Sequence, residues 1–322
     1  MKFDNTFGAI FKNQVLKRSR NTVRRKKGVS MKAVKELARA KINLYLDVLS
    51  KREDGFHDIK TVMHTTTLSD EITLSHNGTG KRCVRLVADA ERWLPTDQRN
   101  IAYTAAMLYM ERAGIDAEIH IRLKKKIPVA AGLAGGSADA AAVLRGMNRL
   151  FGRLMSDKLL LSLAAELGSD VPFCLLGGTA LCCGRGERIE RLPEGLSLSL
   201  VIAVANEFVS TPTAYSELDR LYSDFSGKIE EHASELDSLI SAIRTGASVD
   251  ECLYNIFEDA VLPQCRGAAR LKTRLIELGA SAALMSGSGP SVFGIFPSDA
   301  LADAAAEALR AEGVVAHSAK SG

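Results

Sequence analysis

The 322-residue chain lacks several patterns that mark the common classes of protein. No run approaches the roughly 18 consecutive apolar residues that a membrane-spanning helix needs, so we expect no association with a membrane. The six cysteines form no CxxC pair, and the six histidines form no HxxxH or HxH pair, which argues against a zinc site. With no secretory signal apparent, we expect reduced thiols, a cytoplasmic location and no dedicated metal ligands.

The basic character of the chain is confined to its beginning. The first 30 residues contain nine Lys or Arg against one acidic residue, Asp4, and the remainder holds 33 basic and 37 acidic residues. The body is therefore mildly acidic, and its charge indicates no binding to nucleic acid. We interpret residues 1–30 as a disordered basic extension without catalytic consequence. An alternative start at Met31, an organellar transit peptide and a nucleic-acid-binding tail remain competing explanations.

Hydrophobic periodicity in the rest of the chain indicates a mixture of strands and helices. The predicted strands are residues 37–48, 59–67, 71–75, 84–87, 117–123, 198–205, 282–285 and 291–296. The predicted helices are residues 100–113, 138–150, 156–167, 213–222, 229–245, 250–257, 268–278 and 300–312. Because strands and helices occur in separate runs, the pattern indicates an α+β fold. We place one domain at residues 31–200 and a second at residues 201–322.

A glycine-rich loop at residues 128–141 is the most informative stretch. Gly132, Gly135 and Gly136 lie within five residues, directly before an Ala- and Leu-rich segment that favours helix. Such a loop directs several free N–H groups and the positive end of a helix dipole towards one spot, which favours phosphate binding. The alternative is a surface turn with small residues packed beneath it.

Three common nucleotide-binding patterns do not describe this loop. A Walker A loop requires a lysine where Ser137 follows Gly136, and the chain has no Rossmann GxGxxG. The HRD and DFG motifs of protein kinases are also missing. These absences argue against P-loop, dinucleotide-binding and protein-kinase functions.

Three further features are candidates for chemistry, each with a structural alternative. Lys41 on a predicted strand offers a cation for a substrate oxygen or a phosphate, or it is a solvated strand lysine. Asp170 lies between a helix stop and Pro172, where it is a rigidly held carboxylate or an N-cap for the turn at residues 171–175. The second glycine loop, residues 286–289, closes over a nucleotide or is a tight hairpin turn.

The sequence resembles a known kinase family. Residues 128–141 resemble the nucleotide-binding motif of the GHMP small-molecule kinases, and Ser286-Gly-Ser-Gly-Pro-Ser-Val-Phe resembles their C-terminal glycine motif. Within that superfamily, four blocks resemble the family acting on 4-diphosphocytidyl-2-C-methyl-D-erythritol: residues 40–44, 52–57, 168–172 and 209–215. One departure is Ala134, where many members carry Gly, and we expect its φ to stay negative.

The resemblance implies a fold and a reaction. The fold is a two-lobed GHMP kinase fold, with a ribosomal-protein-S5-domain-2-like N-terminal lobe and a ferredoxin-like α/β C-terminal lobe. The reaction is transfer of the γ-phosphoryl group of ATP, with Mg²⁺, to the 2-hydroxyl of the methylerythritol unit. Asp170 is then the general base, and Lys41 holds it ionised. The nucleotide would bind at Pro128, Val129, Ala130, Ala131, Gly132, Leu133, Ala134, Gly135, Gly136, Ser137 and Ala138.

The same resemblance implies an acceptor site for a cytidine nucleotide. Phe56 and Tyr215 would sandwich the cytosine ring, although packing at a turn is an alternative for Phe56. His57 would read the polar edge of the base, and Asn43 would donate to the polyol. Ser137 would contact Mg²⁺ or the β-phosphate. We expect a monomer or a weak homodimer.

Other functions compete with this prediction. The nearest is another GHMP kinase, acting on homoserine or phosphomevalonate, which has no use for the Asp-Gly-Phe-His block at residues 54–57. A nucleic-acid-binding protein would depend on the basic extension. A non-catalytic nucleotide-binding module is disfavoured by the presence of both Lys41 and Asp170.

Overall fold

The computed structural model describes residues 33–78, 80–222 and 226–322 of the chain, with no side chains described at residues 226–231. The basic extension predicted at residues 1–30 lies outside the described residues. Within the described part, no helix is both long and apolar enough to cross a bilayer.

Two long antiparallel strands form the centre of the larger sheet. They are β1, Val34–Lys51, and β2, His57–Asn77. Strand is thereby confirmed at residues 59–67 and 71–75, but the break predicted between them is wrong, because β2 runs through it without interruption. The intervening Leu68, Ser69 and Asp70 include no Gly or Pro, and Asp70 is fully buried as part of the strand.

The other strands of this sheet place β1 and β2 in its interior. The strand order is β3-β4-β2-β1-β8, and β5 also pairs with β2 and with β6. These strands are β3 (Cys83–Asp89), β4 (Glu118–Lys124), β5 (Thr179–Gly184), β6 (Arg188–Arg191) and β8 (Tyr254–Asn255). Because β1 carries Lys41 and Asn43, both side chains arise from the middle of the sheet.

Four helices cover the larger sheet or lie beside it: α1 (Ile101–Ala113), α2 (Gly135–Leu150), α3 (Asp157–Leu167) and α4 (Val171–Leu176). The predicted ends of the first and third of these are confirmed. Asn100 caps α1 and Gly114 ends it in the left-handed region, and Ser156 caps α3. Small residues on α2 allow a close approach to β2, since a Cβ on Gly146 would lie 2.3 Å from Leu74 Cδ1.

The smaller sheet has a β-α-β-β-α-β arrangement. Its strands are β7 (Ser199–Val204), β9 (Ala282–Met285), β10 (Ser291–Phe296) and β11 (Val315–Lys320), and the order β11-β7-β10-β9 is antiparallel throughout. Helices α8 (Arg266–Glu277) and α9 (Asp299–Ala311) provide the two crossovers. This is the ferredoxin-like topology. The α+β class is thereby confirmed, whereas the domain boundary predicted between residues 200 and 201 falls inside β7 and stays a prediction.

The remaining elements lie between β7 and α8. They are α5 (Thr211–Leu221), α6 (Ser226–Thr245), a 3₁₀ turn at Asp250–Cys252 and α7 (Phe257–Val261). The single helix predicted at residues 250–257 is wrong. The chain turns at residues 250–252 and adds β8 to the edge of the larger sheet, because Tyr254 and Asn255 pair with Tyr45 and Leu46.

Ala134 corrects the expected backbone of the glycine loop. It adopts φ 53° and ψ 32°, in the left-handed region, where a negative φ was expected. Ala134 is the N-cap of α2, so the turn into the helix requires this conformation whether or not the residue is glycine. An L-residue with a Cβ is strained in this region, by about 1–2 kcal/mol. The loop therefore stores strain where the sequence departs from the family pattern.

We expect Ala134→Gly to stabilise the protein. Relief of left-handed strain outweighs the entropy that glycine adds to the unfolded chain, and the expected net gain is about 0.5–1 kcal/mol in the free energy of unfolding. The measurement is reversible denaturant unfolding. Ala138→Gly, in the same helix, is the control and should destabilise the protein by about 1 kcal/mol. A loss of stability in both variants would contradict the strain at Ala134.

Candidate active site

The two glycine loops meet at one backbone carbonyl. Gly132 O accepts a hydrogen bond from Ser286 Oγ at 3.1 Å and another from Lys41 Nζ at 2.9 Å. Gly132 has φ +78°, and a Cβ placed there would lie 2.2 Å from Ser286 O. Glycine is required at this position both for its backbone conformation and for the contact between the loops. Residues 286–289 thus form a hairpin turn between β9 and β10 that also packs on the first loop.

Lys41 is buried beside this contact. Its side chain, on a residue only 5 % exposed, donates to Asn43 Oδ1 at 2.7 Å as well as to Gly132 O. Its backbone N–H donates to Leu133 O at 3.2 Å, so β1 runs directly alongside the first loop. Burial lowers the pKa of Lys41, while the carboxylate of Asp170 acts in the opposite direction. The solvated strand lysine considered above is therefore wrong.

Asn43 is fixed by neighbours on the sheet. It accepts from Lys41 and donates from Nδ2 to Thr61 Oγ1 at 2.8 Å, and Thr61 donates in turn to Tyr45 O at 2.6 Å. Asn43 therefore lies in the predicted site and orients Lys41. Its contact with a polyol stays a prediction.

Asp170 lies at the start of α4 without capping it. The residue has a helical backbone, φ −84° and ψ −14°, and its side chain makes no capping hydrogen bond among the described residues. The structural alternative of an N-cap carboxylate is therefore wrong. Gly186, with φ +109°, brings the turn between β5 and β6 close to it, since a Cβ there would lie 3.9 Å from Asp170 Oδ1. The carboxylate is left available for chemistry.

The charge of Asp170 connects several predicted residues. It raises the pKa of Lys41 against the effect of burial, and it adds to the burial that raises the pKa of Tyr215 to about 12. Two thiols share this environment. Burial is the main cause and the charge of Asp170 the second, and together they raise the pKa of Cys174 and raise that of Cys182 to about 12. Both thiols therefore remain protonated at neutral pH. The charge of Asp170 is thus felt at both Lys41 and Tyr215.

Two of the three predicted base-binding residues, His57 and Tyr215, are in contact, and the third, Phe56, directly precedes His57 in the chain. His57 stacks on Tyr215 with ring centroids 4.6 Å apart and planes at 20°. One face of Tyr215 is therefore covered by His57, and a T-shaped contact at 4.9 Å joins Tyr215 to Phe257. Phe56 is 54 % exposed in the turn between β1 and β2, with the Arg185 guanidinium 4.9 Å from its ring centroid. The cytosine sandwich stays a prediction.

Asp219 is a residue of this cluster that sequence reasoning missed. Its Oδ1 shares a 2.8 Å hydrogen bond with His57 Nε2, and its Oδ2 accepts from Lys51 at 2.6 Å. Partial burial opposes ionisation, but these two hydrogen bonds prevail and lower the pKa of Asp219. Tyr215 and Asp219 are four residues apart on α5 and so face the same side, which is the signal that would have found it.

A buried ionic cluster supports the first loop from behind. Asp70 Oδ1 accepts the backbone N–H groups of Lys126 and Ile127 at 2.6 and 2.8 Å, just before the loop begins. Lys125 Nζ bridges Asp70 and Asp139, the latter at 2.8 Å. Burial raises the pKa of Asp139, and its Oδ1 has no hydrogen-bond partner within the described part of the chain. The cluster was not foreseen from the sequence.

A cleft of about 320 Å³ runs along the first loop. The loop forms one wall, and the other residues that line it are Leu94, Pro95, Arg99, Asn100, Ile101, Lys125 and Asp139. A larger cleft of about 1170 Å³ lies beyond residues 128–130, between the loop and α8. Of the loop, the larger cleft touches only residues 128–130, whereas residues 128–136 all line the smaller one. The smaller cleft is therefore the one that the glycine loop serves.

A metal ion at the candidate site would take most of its ligands from the nucleotide and from water. Among them, no group of three or more His, Cys, Asp or Glu side chains is placed to hold a metal ion. A Mg²⁺ that accompanies a nucleotide needs only one or two protein oxygens, since phosphates and water supply the rest. Ser137, half-buried in the first turn of α2, offers such an oxygen.

Comparison with known proteins identifies the family. The model of the GHMP kinase N-terminal domain matches residues 100–178, and that of the GHMP kinase C-terminal domain matches residues 236–315. The 4-diphosphocytidyl-2-C-methyl-D-erythritol kinase of Caldicellulosiruptor saccharolyticus is 42 % identical over 275 residues, or 85 % of this chain and 91 % of the relative. The chain belongs to the 4-diphosphocytidyl-2-C-methyl-D-erythritol kinase family of GHMP kinases. It is an ATP-dependent small-molecule kinase.

Solved structures agree with this membership. A crystal structure of 4-(cytidine 5'-diphospho)-2C-methyl-D-erythritol kinase matches with a TM-score of 0.72 and 32 % identity, covering 90 % of this chain and all of that one. A homoserine kinase from Cytophaga hutchinsonii matches with a TM-score of 0.69 at 22 % identity, covering 93 % of this chain and 97 % of that one. The second likeness shows the shared GHMP kinase fold alone.

We expect Gly132→Ala to damage the site far more than an equivalent glycine substitution elsewhere. Gly152 is the matched control, since its φ of +79° is close to the +78° of Gly132, yet no described atom lies within 4 Å of a Cβ placed there. Both variants incur left-handed strain of about 1–2 kcal/mol, but only Gly132→Ala drives the two loops apart.

The measurements are the free energy of unfolding and the KM for ATP. Gly132→Ala should raise the KM for ATP by about tenfold or more, and Gly152→Ala should leave it within about twofold of the unchanged protein. Equal effects of the two variants on this KM would show that contact between the loops does not matter for the nucleotide.

Proposed function

We propose that the protein transfers the γ-phosphoryl group of ATP to the 2-hydroxyl of 4-diphosphocytidyl-2-C-methyl-D-erythritol, in the non-mevalonate route to isoprenoid precursors. The observation that carries the proposal is the position of Lys41. The Lys41 ammonium donates a hydrogen bond to Gly132 O, the carbonyl at which both glycine loops meet. Its charge also interacts with that of the Asp170 carboxylate, which makes no capping hydrogen bond among the described residues. One cation thus connects a phosphate-binding loop with a general base.

The reaction needs positioning and charge stabilisation more than covalent chemistry. The acceptor hydroxyl gives its proton to Asp170, and its oxygen attacks the γ-phosphorus as the bond to the bridging oxygen of ADP breaks. The positive charge of Lys41 interacts with the Asp170 carboxylate, and Lys41 orients the hydroxyl. The buried surroundings strengthen both interactions, because a low local dielectric reduces screening.

In the proposed reaction the donor nucleotide lies along the first loop. Backbone N–H groups of the loop and the N-terminal end of α2 bind its phosphates. The Ser137 hydroxyl would bind Mg²⁺ or the β-phosphate, and Mg²⁺ would neutralise charge on the phosphates.

The acceptor end explains why aromatic residues cluster beyond Asp170. The Phe56 ring is half-exposed, and Tyr215 is held by His57 and Phe257. Stacking of a base on an aromatic ring contributes about 1–3 kcal/mol. His57, oriented by Asp219, offers a fixed polar group for the edge of a cytosine. Neither homoserine nor phosphomevalonate carries a base that would use these groups.

Location and oligomeric state complete the proposal. We propose that the protein acts in the cytoplasm on small molecules. We also propose that it works as a monomer or a weak homodimer, since both glycine loops, Lys41 and Asp170 come from one chain.

The decisive test is ATP consumption measured with three acceptors: 4-diphosphocytidyl-2-C-methyl-D-erythritol, homoserine and phosphomevalonate. We expect kcat/KM for the cytidine compound to exceed those for the others by on the order of 10³ or more, because unpaired polar groups at a base-reading site penalise an acceptor without a base. Phosphorus NMR of the product should place the new phosphate on the 2-hydroxyl. Preferred phosphorylation of homoserine or phosphomevalonate would overturn the proposal.

A further inference from the structure

We propose that Asn255 is a positioning residue that fixes the second glycine loop against the first and thereby sets the affinity for the donor nucleotide. The inference rests on the proposed binding of the donor phosphates by the first glycine loop. Asn255 lies on β8, outside both loops, and the reaction described above makes no use of it. Its side chain nevertheless determines where the second loop can lie.

The amide of Asn255 is fully engaged by the backbone around this loop. The residue is 3 % exposed, and its Nδ2 donates to Met285 O at 2.7 Å and to Gly287 O at 2.9 Å. Its Oδ1 accepts the N–H of Phe257 at 3.0 Å. Both donors of one side chain are therefore directed at carbonyls on either side of Ser286, the residue that contacts Gly132.

Asn255 is itself anchored to the strand that carries Lys41. Asn255 pairs with Leu46 in the parallel ladder between β8 and β1, and the next residue, Ile256, donates its N–H to Leu46 O at 3.0 Å. A displacement of the second loop relative to β1 would therefore have to break hydrogen bonds of Asn255. These hydrogen bonds of Asn255, which we call the Asn255 clamp, tie the second glycine loop to β1, the strand that carries Lys41.

The segment after Asn255 holds the loop a second time. Glu258 Oε1 accepts the N–H of Met285 at 2.9 Å, so both backbone groups of Met285 are bound by side chains of this short segment. Lys272 pairs with the other oxygen of Glu258. The start of the loop is thus held rigidly, and Asn255 extends that hold to Gly287.

The position of Gly287 is where the clamp reaches the active site. A Cβ placed on Gly287 would lie 3.1 Å from Gly132 O and 3.3 Å from Lys41 Nζ. The loop therefore packs against the same carbonyl and cation that organise the first loop. Without the two N–H donors of the Asn255 side chain, no other described group on β8 holds Gly287 in place. The second loop would then no longer be fixed against the first.

A general effect on stability is the competing explanation, and the chain offers a matched control for it. Asn148 on α2 is 7 % exposed and also makes three hydrogen bonds. It accepts from Tyr109 Oη and from Met155 N, and it donates to Met155 O, all at 3.0 Å. None of these partners belongs to either glycine loop, so substitution of Asn148 tests the loss of a buried amide alone.

The experiment compares Asn255→Asp and Asn255→Ala with Asn148→Asp and Asn148→Ala. Asparagine-to-aspartate keeps the acceptor for Phe257 N and removes both donors to the loop. We expect the Kd for ATP, measured by equilibrium titration with Mg²⁺, to rise about tenfold in both Asn255 variants, with the Kd for the cytidine acceptor within about twofold. The KM for ATP should rise in parallel, and kcat at saturating ATP should fall by less. Both Asn148 variants should lower the thermal midpoint without changing either Kd.

Unchanged ATP affinity in the Asn255 variants, or an equal loss in the Asn148 variants, would overturn the proposal. If the Asn255 variants do not fold, Ser286→Ala takes their place, because it removes only the hydroxyl that donates to Gly132 O and so weakens the contact between the two loops. It should raise the Kd for ATP severalfold, and an unchanged Kd would count against the clamp. If the unmodified protein binds ATP but not the cytidine acceptor, the proposed function fails while the ATP measurements still decide the role of Asn255.

Discussion

The hydrogen bonds to the carbonyl oxygen of Gly132 are the constraint on which the rest of the site depends. Lys41 reaches this oxygen from the middle of the larger sheet, and Ser286 reaches it from a hairpin of the smaller sheet. The contact leaves no room for a Cβ, so the sequence is restricted to glycine at this position. One backbone oxygen thus joins both sheets, both loops and the buried cation.

Several features that are unfavourable for stability lie around this contact. Lys41 and Asp139 are ionisable groups buried in the protein, and burial shifts the pKa of each towards its neutral form. Ala130 and Ala134 have φ values of 56° and 53°, in the left-handed region where residues with a Cβ are strained. Proteins retain such features chiefly where function requires them, because the surrounding structure must compensate for each. Their concentration beside the first loop is consistent with a site held ready for phosphoryl transfer.

Sequence reasoning predicted the features that depend on local patterns or on motifs. The capped ends of α1 and α3 follow from Asn100, Gly114 and Ser156, and the glycine loop follows from its spacing and its resemblance to a family. Resemblance also assigned Lys41, Asp170 and Tyr215 to one site, and the electrostatic influence of Asp170 on the pKa of both Lys41 and Tyr215 agrees with that assignment. Motifs carry this information because they preserve residues that meet only in the folded chain.

The failures of sequence reasoning have physical causes too. The break predicted within β2 was wrong because burial of Asp70, with partners about 55 residues away, lets a polar segment continue a strand. The helix predicted at residues 250–257 was wrong because pairing with β1 competes with helical propensity there. The φ of Ala134 was wrong because the turn into α2 dictates the backbone. Asn255 was missed because its partners lie 30 and 32 residues further along the chain.

In the proposed reaction Asp170, whose charge interacts with that of the buried Lys41 and whose side chain makes no capping hydrogen bond among the described residues, accepts the proton of the acceptor hydroxyl. The most direct measurement is kcat for Asp170→Asn, together with the Kd values for ATP and the acceptor. We expect kcat to fall by on the order of 10²–10⁴ while both Kd values stay nearly unchanged, as for loss of a general base. Asp157→Asn, at the first position of α3, should leave kcat unaltered. A near-native kcat in Asp170→Asn would show that Asp170 is not the general base.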